Sequence, residues 1–274
     1  MSNIEHINNS YLQNITKYLD GKNYYETFIQ NDKEKLAELK KRVKKYIDIP
    51  LNTSKDSILN YIYAFVSENY RNDIVFKIEL LENLELFIDR ITDAFIVNEF
   101  KTGRCVTDIA IFNGKSISFE IKSDLDRASN LNTQLNQFSK VFDKNYLITN
   151  EERVCKFSKQ ISENCGLISV DSNLNFELVK EAKTNENLSF DLLFKILRKD
   201  EYLDLVVKYF GEIPNVPNTR IYSECFRMLS GVDFNEFRGD FIEKMKKRSY
   251  SVSFNELTGI DKIKRQGYLA NSKF

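Results

Sequence analysis

Asp108 and Glu120 are carboxylates inside two otherwise apolar segments, Cys105–Phe112 and Ser116–Lys122, and Lys122 follows Glu120 by two positions. Side chains alternate along an extended strand, so Glu120 and Lys122 share one face while Phe119 and Ile121 turn the other way and anchor the strand. Two carboxylates supply hard oxygen ligands suited to Mg²⁺, which keeps several waters and also binds phosphate oxygens. A nearby lysine can position or help deprotonate the attacking water. The chemistry implied is hydrolysis of a phosphodiester. Whether Asp108 joins the pair depends on the turn at Asn113-Gly114. A two-residue loop would pair Phe112 with Lys115 and Asp108 with Phe119, turning Asp108 away from Glu120. A shared site therefore predicts a three-residue loop or a β-bulge between the strands. The alternative without chemistry is a salt bridge between Glu120 and Lys122 on a solvated hairpin face.

Such residues need a sheet to hold them. Phe95–Phe100, Cys105–Phe112, Ser116–Lys122 and Asn145–Thr149 read as strands, and Gly166–Val170 as an added edge strand. Between the third and fourth strands, residues 125–143 return to helical spacing, with Leu131, Leu135, Phe138 and Phe142 on one face. Before the sheet, residues 8–90 are helical, with Leu36, Leu39, Val43 and Ile47 on one stripe, Thr53 or Ser54 capping the next helix, and another helix starting near Tyr70. Residues 180–184 read as a polar connection, and the rest as a helical cap. The predicted organisation is a helical N-terminal region (1–68), a core (69–180) and a helical C-terminal region with a basic tail (185–274).

Composition narrows the chemistry further. His6 is the only histidine, which sets aside histidine metal sites and Ser-His-Asp triads. Cys105, Cys155, Cys165 and Cys225 form no C-x-x-C pair, so neither a zinc site nor a disulfide framework is predicted. The 40 basic residues balance 40 acidic ones, so any nucleic-acid surface must be local. Residues 244–274 are the basic stretch, with Lys244, Lys246, Lys247, Arg248, Lys262, Lys264, Arg265 and Lys273 against Glu256 and Asp261. A solvated tail and a phosphate-contacting surface both fit that pattern. No signal-peptide pattern opens the chain and no apolar run approaches a bilayer span, so a cytoplasmic protein without a membrane partner is expected.

Asp108, eleven intervening residues and then Glu120-Ile-Lys122 resemble the signature of the PD-(D/E)XK nuclease superfamily, with Thr107 where a proline is usual. The run from Glu120 to Asp126, followed by Leu131, Gln134, Phe138 and Val141-Phe-Asp143, is similar to an uncharacterised bacterial and phage-borne branch of these proteins, as is Tyr70-Arg-Asn-Asp73 upstream. The likeness covers about residues 70–150, with Asn130 and Asp73 replacing an Arg and a Glu usual in the branch. It implies an α/β fold with a restriction-endonuclease-like mixed sheet core flanked by helices, carrying helical N- and C-terminal additions. It also implies a Mg²⁺-dependent nuclease, with Mn²⁺ able to substitute, acting on nucleic acid and on DNA ahead of RNA. Asp108 and Glu120 would hold the metal, the Ile121 carbonyl would be a further ligand, Lys122 would assist the water, and Gln134 would orient the lysine or the substrate backbone. Either Glu99, which is favoured, or Asp73 would supply an additional carboxylate. For Glu99, Asp73 and Gln134 the plain alternative is a surface or structural role. A homodimer is one assembly open to such a protein, and phage defence is one context. The competing functional class is a nucleic-acid-binding or protein-interaction module of the same fold without turnover.

Overall fold

The computed structural model describes residues 8–50, 52–126 and 130–272. His6, and Lys273 of the basic stretch, lie outside the described residues. The chain starts with helices α1 (Asn9–Thr16), α2 (Gly21–Tyr24), α3 (Lys33–Val43), α4 (Lys55–Asn69) and α5 (Asp73–Glu82). Short polar residues mark their starts. Asn8, Asp20, Asp32, Ser54 and Asn72 each accept a first-turn backbone N–H, satisfying donors that the helix cannot. Of the two caps expected for the fourth helix, Ser54 is the one used.

The sheet follows, with β1 (Phe95–Thr102), β2 (Cys105–Phe112), β3 (Ser116–Lys122), then α6 (Leu131–Phe138), β4 (Lys144–Asn150), α7 (Val154–Ser158), β5 (Gly166–Val170) and β6 (Phe176–Lys180). Helices α8 (Phe190–Ile196), α9 (Lys199–Phe210), α10 (Asn218–Leu229) and α11 (Phe234–Lys246) precede β7 (Val252–Ser253), α12 (Phe254–Thr258) and α13 (Lys262–Asn271). The seven strands form one mixed sheet in the order β6-β5-β4-β3-β2-β1-β7. Short connections join the antiparallel pairs β1–β2, β2–β3 and β5–β6, β7 returns from the end of the chain to lie antiparallel beside β1, and β3, β4 and β5 run parallel, linked through α6 and α7, as parallel neighbours require.

Three apolar clusters hold the layers together. On one sheet face Val97, Phe100, Ala110, Phe112 and Leu147 pack against α6 and α8 to α11. On the other, Ile96, Ile109, Ile111, Phe119, Ile121 and Ile148 pack against α5, α12 and α13. The third joins α1 to α4 to Val75 and Ile78 of α5. With apolar residues on both faces, the central strands are nearly continuous runs of buried side chains.

Three features depart from the expected organisation. Gly166–Val170 is an inner strand rather than an edge, because Phe176–Lys180 pairs beyond it. The C-terminal region is not purely helical: Val252–Ser253 pairs with Phe95–Ile96 and adds the strand at the opposite edge. Among the described residues, six of the seven cations of the basic stretch are held in ion pairs, and Lys247 is exposed without one. Lys244 pairs with Asp204, Lys246 with Glu243, Arg248 with Glu201, Lys262 with Glu79, Lys264 with Asp56, and Arg265 with Glu82. A charge sum over a sequence window cannot see acidic partners brought in from elsewhere in the chain.

Candidate carboxylate–lysine site

The β2–β3 connection is a three-residue loop. Phe112 pairs with Ser116 and Ile109 with Phe119, leaving Asn113, Gly114 and Lys115 outside the ladder. Gly114 has φ of 92°, the left-handed geometry that such a loop needs and that a Cβ disfavours. Continued past its last pair, Ile109–Phe119, this register would set Asp108 opposite Glu120, the placement that the shared site requires.

The strands separate at Asp108. Pairing between β2 and β3 stops at Ile109–Phe119, and pairing between β1 and β2 skips the opposed Glu99 and Asp108. Glu99 has φ of 51°, an uncommon conformation for a residue with a side chain, and this interrupts the alternation of β1 so that Val97 and Phe100 enter the same core cluster. The Asp108 carboxylate fills the opening: its Oδ2 accepts the Ile121 N–H at 2.8 Å, in place of a ladder bond. N–H and C=O of one strand residue point to the same side, so the Ile121 carbonyl is also directed toward β2. Next to it, the Lys122 carbonyl points to β4 and accepts from Thr149 Oγ1 at 3.0 Å.

Glu120 is almost completely buried, at 2% exposure. Its Oε1 accepts from Lys122 Nζ at 2.6 Å, whereas its buried Oε2 has no hydrogen-bond partner among the described residues. Burial, and then the charge of Asp108, raise its pKa to about 7; Lys122 and the Gln134 amide act in the opposite direction. Gln134 lies on α6 and, with Lys122, Arg104 and Thr133, lines a hollow over this face.

Sequence reasoning missed the group at the centre of the cluster. Lys77 of α5 has a side chain only 3% exposed, with Nζ 3.3 Å from Asp108 Oδ1 and 3.8 Å from Asp73 Oδ2. Burial opposes its charge, but the fields of Asp108, Asp73, Asp20 and Glu99 outweigh burial and hold the proton more tightly than usual. Asp20 is the second missed residue. It is pushed up by burial, Lys77 favours its charged form, and its Oδ1 accepts from Gly21 N–H at 2.7 Å and Gln266 Nε2 at 3.3 Å. A lone lysine in the apolar run Ile74–Ile78, four residues after Asp73, was the available signal for Lys77. Nothing local points to Asp20, which reaches the cluster only through the tertiary fold.

The structure thus brings Asp108, Glu120, Ile121, Lys122 and Gln134 together and adds Lys77. Asp73 joins through its ion pair with Lys77, and its pKa is raised by burial and then by Asp108, Asp126 and Asp20, with Lys77 opposing. Glu99 is exposed, and its field reaches Lys77 and Asp20. Among the described residues no cluster of three or more His, Cys, Asp or Glu side chains is arranged to hold a metal. The donors that fit a divalent cation are the Asp108 carboxylate, the Ile121 carbonyl and Glu120, whose unpartnered buried Oε2 is the observation in favour. Mg²⁺ commonly uses one or two carboxylates and fills its remaining positions with water and phosphate, so a larger carboxylate cage is not required.

Comparison with known proteins gives the following relationships. The family described as bacteriophage P4 protein cII matches residues 66–267. Protein cII of Enterobacteria phage P4 is 26% identical over 196 residues, covering 64% of this chain and 73% of that protein. Among solved structures, the SPO1766 protein of unknown function from Silicibacter pomeroyi aligns with a TM-score of 0.33 and 16% identity, over 54% of this chain and 96% of that one.

Proposed function

The chain belongs to the bacteriophage P4 protein cII family, and we propose that this protein is a metal-dependent nuclease hydrolysing phosphodiester bonds in DNA. The observation that carries the reading is the convergence of Asp108, Glu120 and Lys122 at one opening of the sheet, with Glu120 Oε2 buried and unpartnered. In this reading the mixed sheet and its flanking helices form a restriction-endonuclease-like core. Asp108 and Glu120 hold Mg²⁺ or Mn²⁺, with the Ile121 carbonyl as a further ligand and Asp73 or Glu99 as an additional carboxylate. A bound divalent ion supplies Lewis-acid polarisation of the phosphoryl oxygen and a lower pKa for bound water.

The chain's own residues do the rest. Glu120 holds the Lys122 ammonium at 2.6 Å, fixing a hydrogen-bond donor beside the reacting centre, where it orients the attacking water. Lys77 holds Asp108 from behind, so the carboxylate keeps its bond to the Ile121 N–H instead of turning toward solvent. Gln134, beside Lys122 on the wall of the hollow, is placed to orient the lysine or the substrate backbone.

One observation favours a second reading, a nucleic-acid-binding or protein-interaction module without turnover: Lys122 and Lys77 already neutralise both carboxylates. Single-stranded, duplex and branched DNA and RNA incubated with Mg²⁺, Mn²⁺ or EDTA separate the two. The nuclease gives metal-dependent cleavage that disappears in Glu120→Ala and Lys122→Ala while binding persists. No cleavage of any substrate with either metal sinks the nuclease and leaves the binding module.

A further inference from the structure

Most cations of the basic C-terminal stretch are consumed by ion pairs, which leaves open where a polyanion could be held. A different set of basic residues is unpaired. Lys101 and Arg104 flank the β1–β2 turn, and Lys195 and Arg198 stand at the junction of α8 and α9. All four are exposed, and among the described residues none has a carboxylate partner within salt-bridge distance.

Lys101, Lys195 and Arg198 line one hollow together with Arg248, Tyr250 and Glu99. Its volume is about 540 Å³, inside the roughly 300–1,000 Å³ range of sites that take a small organic group. The hollow is built rather than fortuitous. Arg248 is 8% exposed, and its guanidinium is fixed by Glu201 at 2.7 and 2.6 Å, by the Ile196 carbonyl at 2.8 Å and by the Tyr250 hydroxyl at 2.7 Å. Arg198 lies over the Tyr250 ring at 5.4 Å, which pre-orders its charge at the rim. Residues at the β1–β2 turn line both this hollow, through Lys101 and Gly103, and the one containing Arg104, Lys122 and Gln134. Glu99, directly across β1–β2 from Asp108, places the hollow beside the carboxylate–lysine site.

We propose that the hollow between the β1–β2 turn and the α8–α9 junction is a phosphate subsite, where Lys101, Lys195 and Arg198 hold the backbone of a nucleic-acid strand running from the carboxylate–lysine site across Arg104. Unpaired cations spread over several residues on two neighbouring hollows suit a polyanion with repeating charge better than a single small anion. The subsite rests on the nuclease reading only for the direction in which the strand leaves the site; binding itself needs no turnover.

The test is fluorescence anisotropy of labelled duplex DNA, single-stranded DNA and single-stranded RNA, in EDTA, over a series of salt concentrations. Lys101→Gln/Lys195→Gln/Arg198→Gln is compared with Lys244→Gln/Lys246→Gln/Lys264→Gln, which removes the same charge from residues held in ion pairs. The first triple variant is expected to bind on the order of 10–100-fold more weakly at ~0.1 M salt and to lower the salt slope by about 2 to 3, while the second stays near wild type. The three nucleic acids show which strand the subsite accepts. Equal losses in both variants, no loss in the first, or no binding of any oligonucleotide by the native chain overturns the subsite. A wild-type cleavage assay with Mg²⁺ separates this from the reading it rests on. Cleavage with no binding defect in the first variant removes the subsite alone, whereas a binding defect without wild-type cleavage removes the nuclease alone.

Discussion

At the scale of single residues, the cluster is a balance of buried charges in which each neutralises another. Buried Lys77 pairs with the largely buried Asp108 and with the half-exposed Asp73, and removing its charge would leave Asp108 without its cation. Replacing one partner of a buried ion pair costs about 3–5 kcal/mol, far more than losing an exposed pair. Lys77→Met should therefore lower the urea midpoint strongly, whereas Arg90→Met, which breaks an exposed pair with Asp93, should leave it nearly unchanged. Glu120 allows a pH test. Its folded pKa is raised from 4.5 to about 7, so between these values the folded state keeps a proton that the unfolded chain releases. The stability it contributes is complete below the unfolded value and is lost as pH rises through about 7, a change of ~3 kcal/mol. Glu120→Gln cannot titrate. Urea melts in EDTA should show wild type losing stability relative to Glu120→Gln between pH 4.5 and 7.5, and parallel curves would mean that the burial of Glu120 is not felt as a proton-affinity change.

At the scale of elements, one loop decides whether a site exists. Asn113, Gly114 and Lys115 set a register that puts Asp108 opposite Glu120, and deleting Lys115 would leave the two-residue loop that turns one of them to the other face. The deletion should abolish metal-dependent cleavage and destabilise the sheet. Gly114→Ala keeps the register and meets no atom within 4 Å, so its cost is only the left-handed backbone, roughly 1 kcal/mol, with cleavage retained. Parallel melting and cleavage measurements on the two variants separate register from stability. The same elements show what could be read from the residues. Strands β2 and β3 were legible to their ends because apolar runs flank an Asn-Gly turn. Strand β6 was not: its outer residues Glu177, Leu178 and Val179 are exposed, and it takes its strand form from pairing with β5. Strand β7 is two residues long and carries no pattern of its own. Asp108, Glu120 and Lys122 stood out as charges inside apolar strands, whereas Lys77 and Asp20 acquire their role only when α5 and α2 are laid on the sheet.

At the scale of the molecule, the segments at either end of the chain are parts of one structure around the sheet. Helix α13 lies against α5, α2 and β1, and its Gln266 is fully buried with Nε2 3.3 Å from both Asp20 Oδ1 and Asn98 Oδ1. Gly267 sits directly against the Tyr24 ring, where a Cβ would approach ring carbons to 2.5 Å. Residues 20, 77, 98, 108 and 266 therefore meet in one polar seam between helices and sheet, although 246 positions separate the first and last. Removing residues 252–274 would uncover β1 as an edge, expose Ile96 and Leu81, and take Gln266 from Asp20, Lys262 from Glu79 and Arg265 from Glu82. An uncovered apolar edge strand is a template for self-pairing. The truncated chain should melt at markedly lower temperature and elute as larger species in size-exclusion chromatography, and it should lose nucleic-acid binding and cleavage together. Gly267→Leu offers a gentler version, since it removes no charged side chain but forces α13 away from α2. It should lower the melting temperature while the exposed Lys101, Lys195 and Arg198 remain in place. A Gly267→Leu protein as stable as wild type would show that α13 does not clamp the seam, and the Lys77–Asp108 pair would then owe its burial to α5 and the sheet alone.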